Sequence, residues 1–314
     1  MQVTLDNGQV QDLSQLDLPA LHDLQWEQER AFADRIRRSP RQSAQRAEAF
    51  RTGYDTVTKI LACQERAARQ NDPQAGVSQA RAADGLVMGF NPRYVKLVVK
   101  LLRRAQARGA QRPRLFEIGY GSGAMLAEVA AAGFDVGGIE VSSYMQSQAT
   151  ARLPQHQSSL LLGEFLALDL RPWQGCHVIY WNDVLEHVHP DESLDFLRKA
   201  HELLALGGVL VTITPNWHTR PTDITKAYRP PRQEAEGFHL KEYTLREVTG
   251  LIRRAGFARV GTPLLVTPRH TLLAGRGLCR LKRWCEPLLE YLPFSLARLI
   301  CRGGALNTTL AWKV

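Results

Sequence analysis

Apolar residues in the middle of the chain switch between two spacings. Residues 114–118 (RLFEI) form a short apolar run that ends in a glycine turn, after which Met125, Leu126 and Val129 follow at helical spacing up to Gly133. Residues 134–141 and 176–182 are further runs of strand character. Residues 190–206 carry helix signals at both ends: Pro190, Asp191 and Glu192 at the start, Leu194, Leu197, Ala200 and Leu204 along one stripe, and Gly207-Gly208 as the stop. A β-rich run, 209–214, comes next. Thr244 followed by Glu247 spells a capping box for a helix that stops at Gly256. Strands separated by helices predict βαβ units and a parallel sheet covered on both faces. Ahead of them, Asn91-Pro92 opens a covering helix with Val95, Val98, Val99 and Leu102.

Two segments lie outside this alternation. Residues 1–90 read as a mainly helical N-terminal cap, with a small hairpin turning at Asn7-Gly8 and breaks near Ser39-Pro40 and Asn71-Asp72-Pro73. Residues 91–314 read as the main domain, in which about 267–304 form a helical insertion between strand candidates 258–266 and 305–314. Within it Leu281, Trp284, Leu288 and Leu292 keep rough helical spacing, interrupted by Pro287 and Pro293. A substrate lid, a dimer contact or an interfacial element touching lipid all suit that pattern.

Composition narrows the class. With 44% hydrophobic and 23% charged residues over 314 positions, the chain is no disordered segment. Its longest uncharged run, 203–219, is short of the about 20 apolar residues of a spanning helix, and the first residues lack the basic and apolar regions of a secretory signal. A cytoplasmic protein, with membrane association at most peripheral, is expected. Five cysteines without a CxxC pair exclude a disulfide framework or a cysteine zinc site. The net charge of +9 sits in two places: seven arginines from Arg30 to Arg51 against Asp34 and Glu48, and seven Lys/Arg from Arg269 to Arg302 against Glu286 and Glu290. Solvated helix faces or attraction to an anionic partner would both account for it. No nucleic-acid module accompanies the charge, which disfavours that partner.

The chemistry concentrates in Glu117-Ile118-Gly119-Tyr120-Gly121-Ser122-Gly123, between a strand and a helix. Glycines let the backbone turn sharply and approach a ligand with no Cβ in the way, beside the free N–H groups of a helix start. Glu140 closes the next strand, 21 residues after Gly119, where a carboxylate accepts both hydroxyls of a ribose. Two ligand classes fit. Gly119, Gly121 and Ala124 match the dinucleotide fingerprint G-x-G-x-x-G/A, which would make the protein an NAD(P)-dependent oxidoreductase. The third glycine at 123 and the carboxylate of Glu117 favour the other class, because Glu117 would repel a pyrophosphate but suits the cationic amino-acid end of S-adenosylmethionine.

E-x-G-x-G-x-G, the acidic end of the second strand and N-D-V-L-E-H-V at 182–188 together resemble the class I S-adenosylmethionine-dependent methyltransferases, over about residues 90–266 and the last strand. Residues 187–216 resemble the small-molecule branch, which includes ubiquinone-type O-methyltransferases. The resemblance implies a Rossmann-like, doubly wound seven-stranded α/β sheet with an antiparallel last strand, with the cap and the insertion over the strands' carboxyl ends. It implies S-adenosylmethionine as cofactor, with Glu117, Gly119, Gly121 and Gly123 around its methionine and ribose and Glu140 on the ribose. Glu164 and Phe165 take the adenine side, where Glu164 departs from the family's Asp, and Asn182 and Asp183 flank the methionine end.

The implied reaction is methyl transfer, most readily to oxygen, on a small-molecule or glycan/lipid-linked acceptor; a non-catalytic protein that kept the nucleotide pocket is the other outcome. For proton removal, residues 215–243 offer His218, Lys226, Tyr228, His239, Lys241 and Tyr243. Similar family members place a histidine in this connection, which makes His239 the candidate general base, against a histidine that only orders the loop. Asp183, Glu186 and His187 with His239 also resemble the divalent-ion set of some relatives. The same motif occurs in relatives without metal, and a metal-free site is the expectation here.

Overall fold

The computed structural model describes residues 1–71, 90–266, 271–273 and 276–314. The cap opens with a hairpin of β1 (Gln2–Thr4) and β2 (Val10–Asp12), then α1 (Leu18–Arg38) and α2 (Ala44–Asn71). Asp17 caps α1 by accepting from the Ala20 N–H, and the helix ends at Arg38, just before Ser39-Pro40. The covering helix α3 (Val95–Ala107) precedes β3 (Arg114–Ile118), α4 (Ala124–Ala131), β4 (Asp135–Glu140), α5 (Ser143–Arg152) and β5 (Leu160–Leu162). The second half runs through β6 (Cys176–Asn182), α6 (Ser193–Leu203), β7 (Leu204–Ile213), α7 (Leu245–Arg254) and β8 (Arg259–Gly261). β9 (Pro263–Val266), β10 (Thr271–Leu273), α8 (Arg276–Cys285), α9 (Phe294–Gly303) and β11 (Thr308–Trp312) complete it.

Seven strands form one sheet in the order β5-β4-β3-β6-β7-β11-β8. The pairs from β5 to β7 are parallel, and β11 runs antiparallel to both β7 and β8. Alternation along β6 serves two cores: Ile179 and Trp181 face one layer with Leu197 and Ile252, while Val178 and Tyr180 face the other with Leu97 and Leu126. Strand order reverses between β3 and β6, and the crevice outside their carboxyl ends is where such sheets bind ligands.

Three expectations change. The helix predicted over 190–206 ends at Leu203, and β7 begins at once, pairing Leu204 with Cys176. Gly207, at φ +74°, is therefore a kink within a strand whose pairing slips between Cys176 and Val178. The strand predicted over 258–266 is two: β8 joins the sheet, while β9 pairs with β10 outside it. The insertion thus opens on a hairpin before its helices; 267–270 and 274–275 lie outside the described residues. The cap's arginines also have local partners: Arg30 pairs with Glu236, Arg41 with Asp195, and Arg46 with Asp191 and Glu192. That basic run binds the cap to the main domain.

The insertion is anchored through its two carboxylates. Buried Glu286 accepts from Asn216 Nδ2 at 2.7 Å and from the Leu245 and Arg246 N–H groups at the start of α7. Glu290 takes His218 Nδ1 at 2.7 Å and Arg220 Nη2 at 2.9 Å, and the Arg220 hydrogen bond, with His218, lowers its carboxyl from 4.5 to about 2. A depressed folded value means that the stabilisation is complete above pH 4.5 and lost as pH falls toward 2. Glu290→Gln should therefore lower stability against urea at pH 6, and the gap from the parent should shrink as pH falls below 4.

Candidate active site

A cavity of about 960 Å³ lies between the carboxyl ends of β3, β4 and β6 and the cap helices α1 and α2. Gly119 and Gly121 line it, with φ of +71° and +52°. A Cβ on Gly119 would stand 2.8 Å from Val184 Cγ2, so only glycine lets the two loops meet. Glu140 also lines the cavity, its carboxylate fixed by three backbone N–H groups: Gly121 to Oε2 at 2.9 Å, and Val141 and Ser142 to Oε1 at 2.8 and 3.0 Å. Burial raises its pKa, and those N–H groups oppose the rise. The cap is tied to this corner, because Asp55 on α2 accepts from Ser142 Oγ, Ser143 Oγ and the Tyr144 N–H at the start of α5.

Glu164, Phe165, Asn182 and Asp183 are on the wall. Phe165 is buried against Phe196 at 5.4 Å between ring centroids. Asp183 holds a left-handed φ of +54°, uncommon for a non-glycine residue, and its Oδ2 accepts from Asn182 Nδ2 at 2.9 Å. Glu117 and Gly123 are not on the wall. Strand alternation turns Glu117 to the face of Leu115 and Tyr180, where it is buried with Oε2 unpartnered and burial raises its pKa well above the ordinary value. Gly123 begins α4 at φ +72°, and a Cβ there would press to 3.1 Å on Ala149 of α5. Its smallness serves helix packing.

Of the six side chains offered by 215–243, His239 alone lines the cavity. His218 is turned to Glu290, Tyr228 stacks on Trp26 at 4.5 Å, Lys241 pairs with Glu247, and Tyr243 bonds Ser193 Oγ. Lys226 is exposed. His239 Nδ1 lies 2.7 Å from Glu242 Oε1 and 3.1 Å from Thr222 Oγ1. Burial depresses its pKa, but the Glu242 hydrogen bond with the charges of Glu186, Glu242 and Asp223 outweighs burial and lifts it to about 9. His187 Nδ1 donates to the Phe238 carbonyl at 2.9 Å, and burial, then His239, holds His187 neutral. Glu186 Oε2 accepts from Thr214 Oγ1, Oε1 has no partner, and burial with Asp183 raises its carboxyl to about 8. Each of Glu186, His187 and His239 offers one atom within 4.8 Å of the others.

The cap supplies wall residues that motif reading missed. Phe50, Tyr54, Val57 and Leu61 line the cavity from one stripe of α2, and Glu29 from α1. Tyr54 stacks on Phe238 at 4.8 Å and meets His187 edge-on at 5.5 Å, its buried hydroxyl unpartnered. Their i, i+4, i+7, i+11 spacing was the available signal. Of the three readings of the insertion, the lid has no support from its described residues, none of which lines the wall.

Residues 91–261, more than half of the chain, match the family model of the methyltransferase domain. The chain belongs to that family. The protein is a class I S-adenosylmethionine-dependent methyltransferase, so S-adenosylmethionine is its cofactor and the dinucleotide alternative falls away. Among solved structures, the methyltransferase is similar to CcbJ of Streptomyces caelestis, at 28% identity over 41% of this chain and 51% of that one, TM-score 0.35. It spans about half of the CcbJ chain it matches. It is also similar to a SAM-dependent methyltransferase of Archaeoglobus fulgidus (16% identity, 70% and 94% of the two chains, TM-score 0.43). A third is CalS10, an amino pentose methyltransferase of Micromonospora echinaspora (24% identity, 44% and 55%, TM-score 0.34). No curated protein matches the sequence. No helix among the described residues is long and apolar enough to cross a membrane.

Proposed function

We propose that the protein methylates a hydroxyl of a small-molecule or glycan/lipid-linked acceptor, with His239 as proton acceptor. The observation that carries this is the aromatic pocket of Phe50, Tyr54 and Phe238 abutting a histidine whose Nδ1 is held by a carboxylate. With Nδ1–H donated to Glu242, the lone pair of a neutral His239 is on Nε2, available to the acceptor. S-adenosylmethionine, when bound, would supply an activated methyl group and leave as S-adenosylhomocysteine, and His239 would accept the proton that the acceptor hydroxyl gives up. Carboxylates Glu29, Glu164, Asp183 and Asp223 line the same cavity, and its Arg46 is engaged by Asp191 and Glu192. Such a wall suits an acceptor that is neutral where it enters, not the anionic one suggested by net charge.

A second use of the cluster is favoured by its donor set. Both histidines have Nδ1 engaged, which leaves Nε2 as the free ring nitrogen, and Glu186 Oε1 is unpartnered. Glu186, His187 and His239 would hold a divalent cation, which when bound lowers the pKa of a coordinated hydroxyl. A panel of phenolic, sugar and amine acceptors with deuteromethyl S-adenosylmethionine, assayed with and without EDTA, tests both. Label on a hydroxyl, insensitive to EDTA, is the expected result; label on amines alone would overturn oxygen transfer. Loss with EDTA, restored by Mg²⁺ or Mn²⁺, would establish the cation.

A further inference from the structure

The insertion buries one side of its helices and leaves the other apolar. On α9, Ala297 and Cys301 pack with Leu289 and Leu306 in a small core of their own. Leu299, on the opposite side of the helix, and Ile300, on its flank, are exposed. Leu281 and Trp284 of α8 and Leu288 and Tyr291 of the turn after it are also exposed, Trp284 at 77% and Tyr291 at 86%. An apolar surface of this extent on one short segment is unusual for a face that meets only water.

Its charges are one-sided. Arg280, Arg298 and Arg302 are exposed, Arg280 and Arg298 next in sequence to exposed Leu281 and Leu299. The segment's carboxylates point elsewhere, Glu286 buried at the start of α7 and Glu290 in its pair with Arg220. We infer that this face docks on an anionic lipid surface, with Trp284, Leu288 and Tyr291 entering the headgroup boundary and the arginines meeting lipid phosphates. Trp and Tyr are the residues that favour that boundary, and amphipathic helices bind there by apolar burial combined with attraction to anionic lipid. A second copy fits the charge less well: a two-fold contact would set these arginines against their own copies, and both carboxylates of the segment are already engaged elsewhere. This docking does not depend on which acceptor the cavity takes.

The test is co-sedimentation of the full chain with vesicles of phosphatidylcholine alone and of phosphatidylcholine containing phosphatidylglycerol. Binding is expected to the anionic vesicles, weakening with added salt. Arg280→Glu with Arg298→Glu should weaken it by at least about 25-fold, from roughly fivefold per arginine near the surface. Trp284→Ser with Leu288→Ser should weaken it at least about tenfold. All variants should keep S-adenosylhomocysteine affinity, and the arginine pair, being exposed, keeps the test answerable if the apolar pair misfolds. Absence of binding to anionic vesicles, or equal binding by folded variants, overturns the inference. So does a dimer in sedimentation velocity that Trp284→Ser dissolves while vesicles capture nothing, which would assign the face to a second copy.

Discussion

Glu140→Ala is expected to weaken binding of S-adenosylhomocysteine by at least about a hundredfold, since each of two hydrogen bonds to a carboxylate contributes about 1.5–3 kcal/mol. The structure adds a second reason. Glu140 also collects the N–H groups of Gly121, Val141 and Ser142, so its loss leaves the glycine loop and the start of α5 without their common acceptor. Glu140→Gln keeps one acceptor oxygen and should fall between the parent and Glu140→Ala. Gly121→Val should fail comparably, because a branched residue at φ +52° is strained before its side chain enters the cavity. Titration calorimetry with S-adenosylhomocysteine reads all three. Unchanged affinity in a folded Glu140→Ala protein would remove that residue from the ribose position.

The glycine turn and the strand-end carboxylate that line the cavity were legible because their geometry is local. A turn with glycines at 119 and 121, and a carboxylate ending the neighbouring strand, meet through one β-α-β unit whose geometry hardly varies. Glu117 shows where a motif misleads: its position beside the turn suggested contact with the cofactor, yet alternation with Phe116 and Ile118 puts it on the opposite face. The acceptor side was hidden for a different reason. Phe50, Tyr54, Val57 and Leu61 look like any core-facing stripe, and only docking of α2 through Asp55 and Thr58 onto Ser142 turns that stripe into a cavity wall. The sequence singled out His239, which lines the cavity, but its surroundings were not legible. Glu242, three residues on, could be read, and Glu186 was grouped with His239 only through the resemblance to metal-dependent relatives; the approach of Asp223 could not be read.

That environment changes what His239→Ala should do. Removing a general base typically lowers the rate by roughly 10²–10⁴ while leaving cofactor affinity nearly untouched. An unperturbed histidine would place the limb of the pH profile near pH 6–7. Here His239 is held at about 9, so its neutral form grows with pH and kcat/KM should rise to a plateau only above that value. At pH 7 about one molecule in a hundred carries the base, so the full loss on His239→Ala is visible only in alkaline buffer. The limb in kcat should lie lower than that in kcat/KM, because the sulfonium of the bound donor is a second positive charge that disfavours imidazolium. Glu242→Gln should move both limbs down toward 6.5 without abolishing turnover, which a histidine that only orders the loop would not do. If instead Asp183→Ala, Glu186→Ala and His187→Ala all match His239→Ala and EDTA abolishes the rate, the cluster acts through a cation. A His239→Ala enzyme with the parent's rate and pH profile at pH 9 would end its role as base, and Tyr54, whose unpartnered hydroxyl faces the same cluster, would be the next residue to replace.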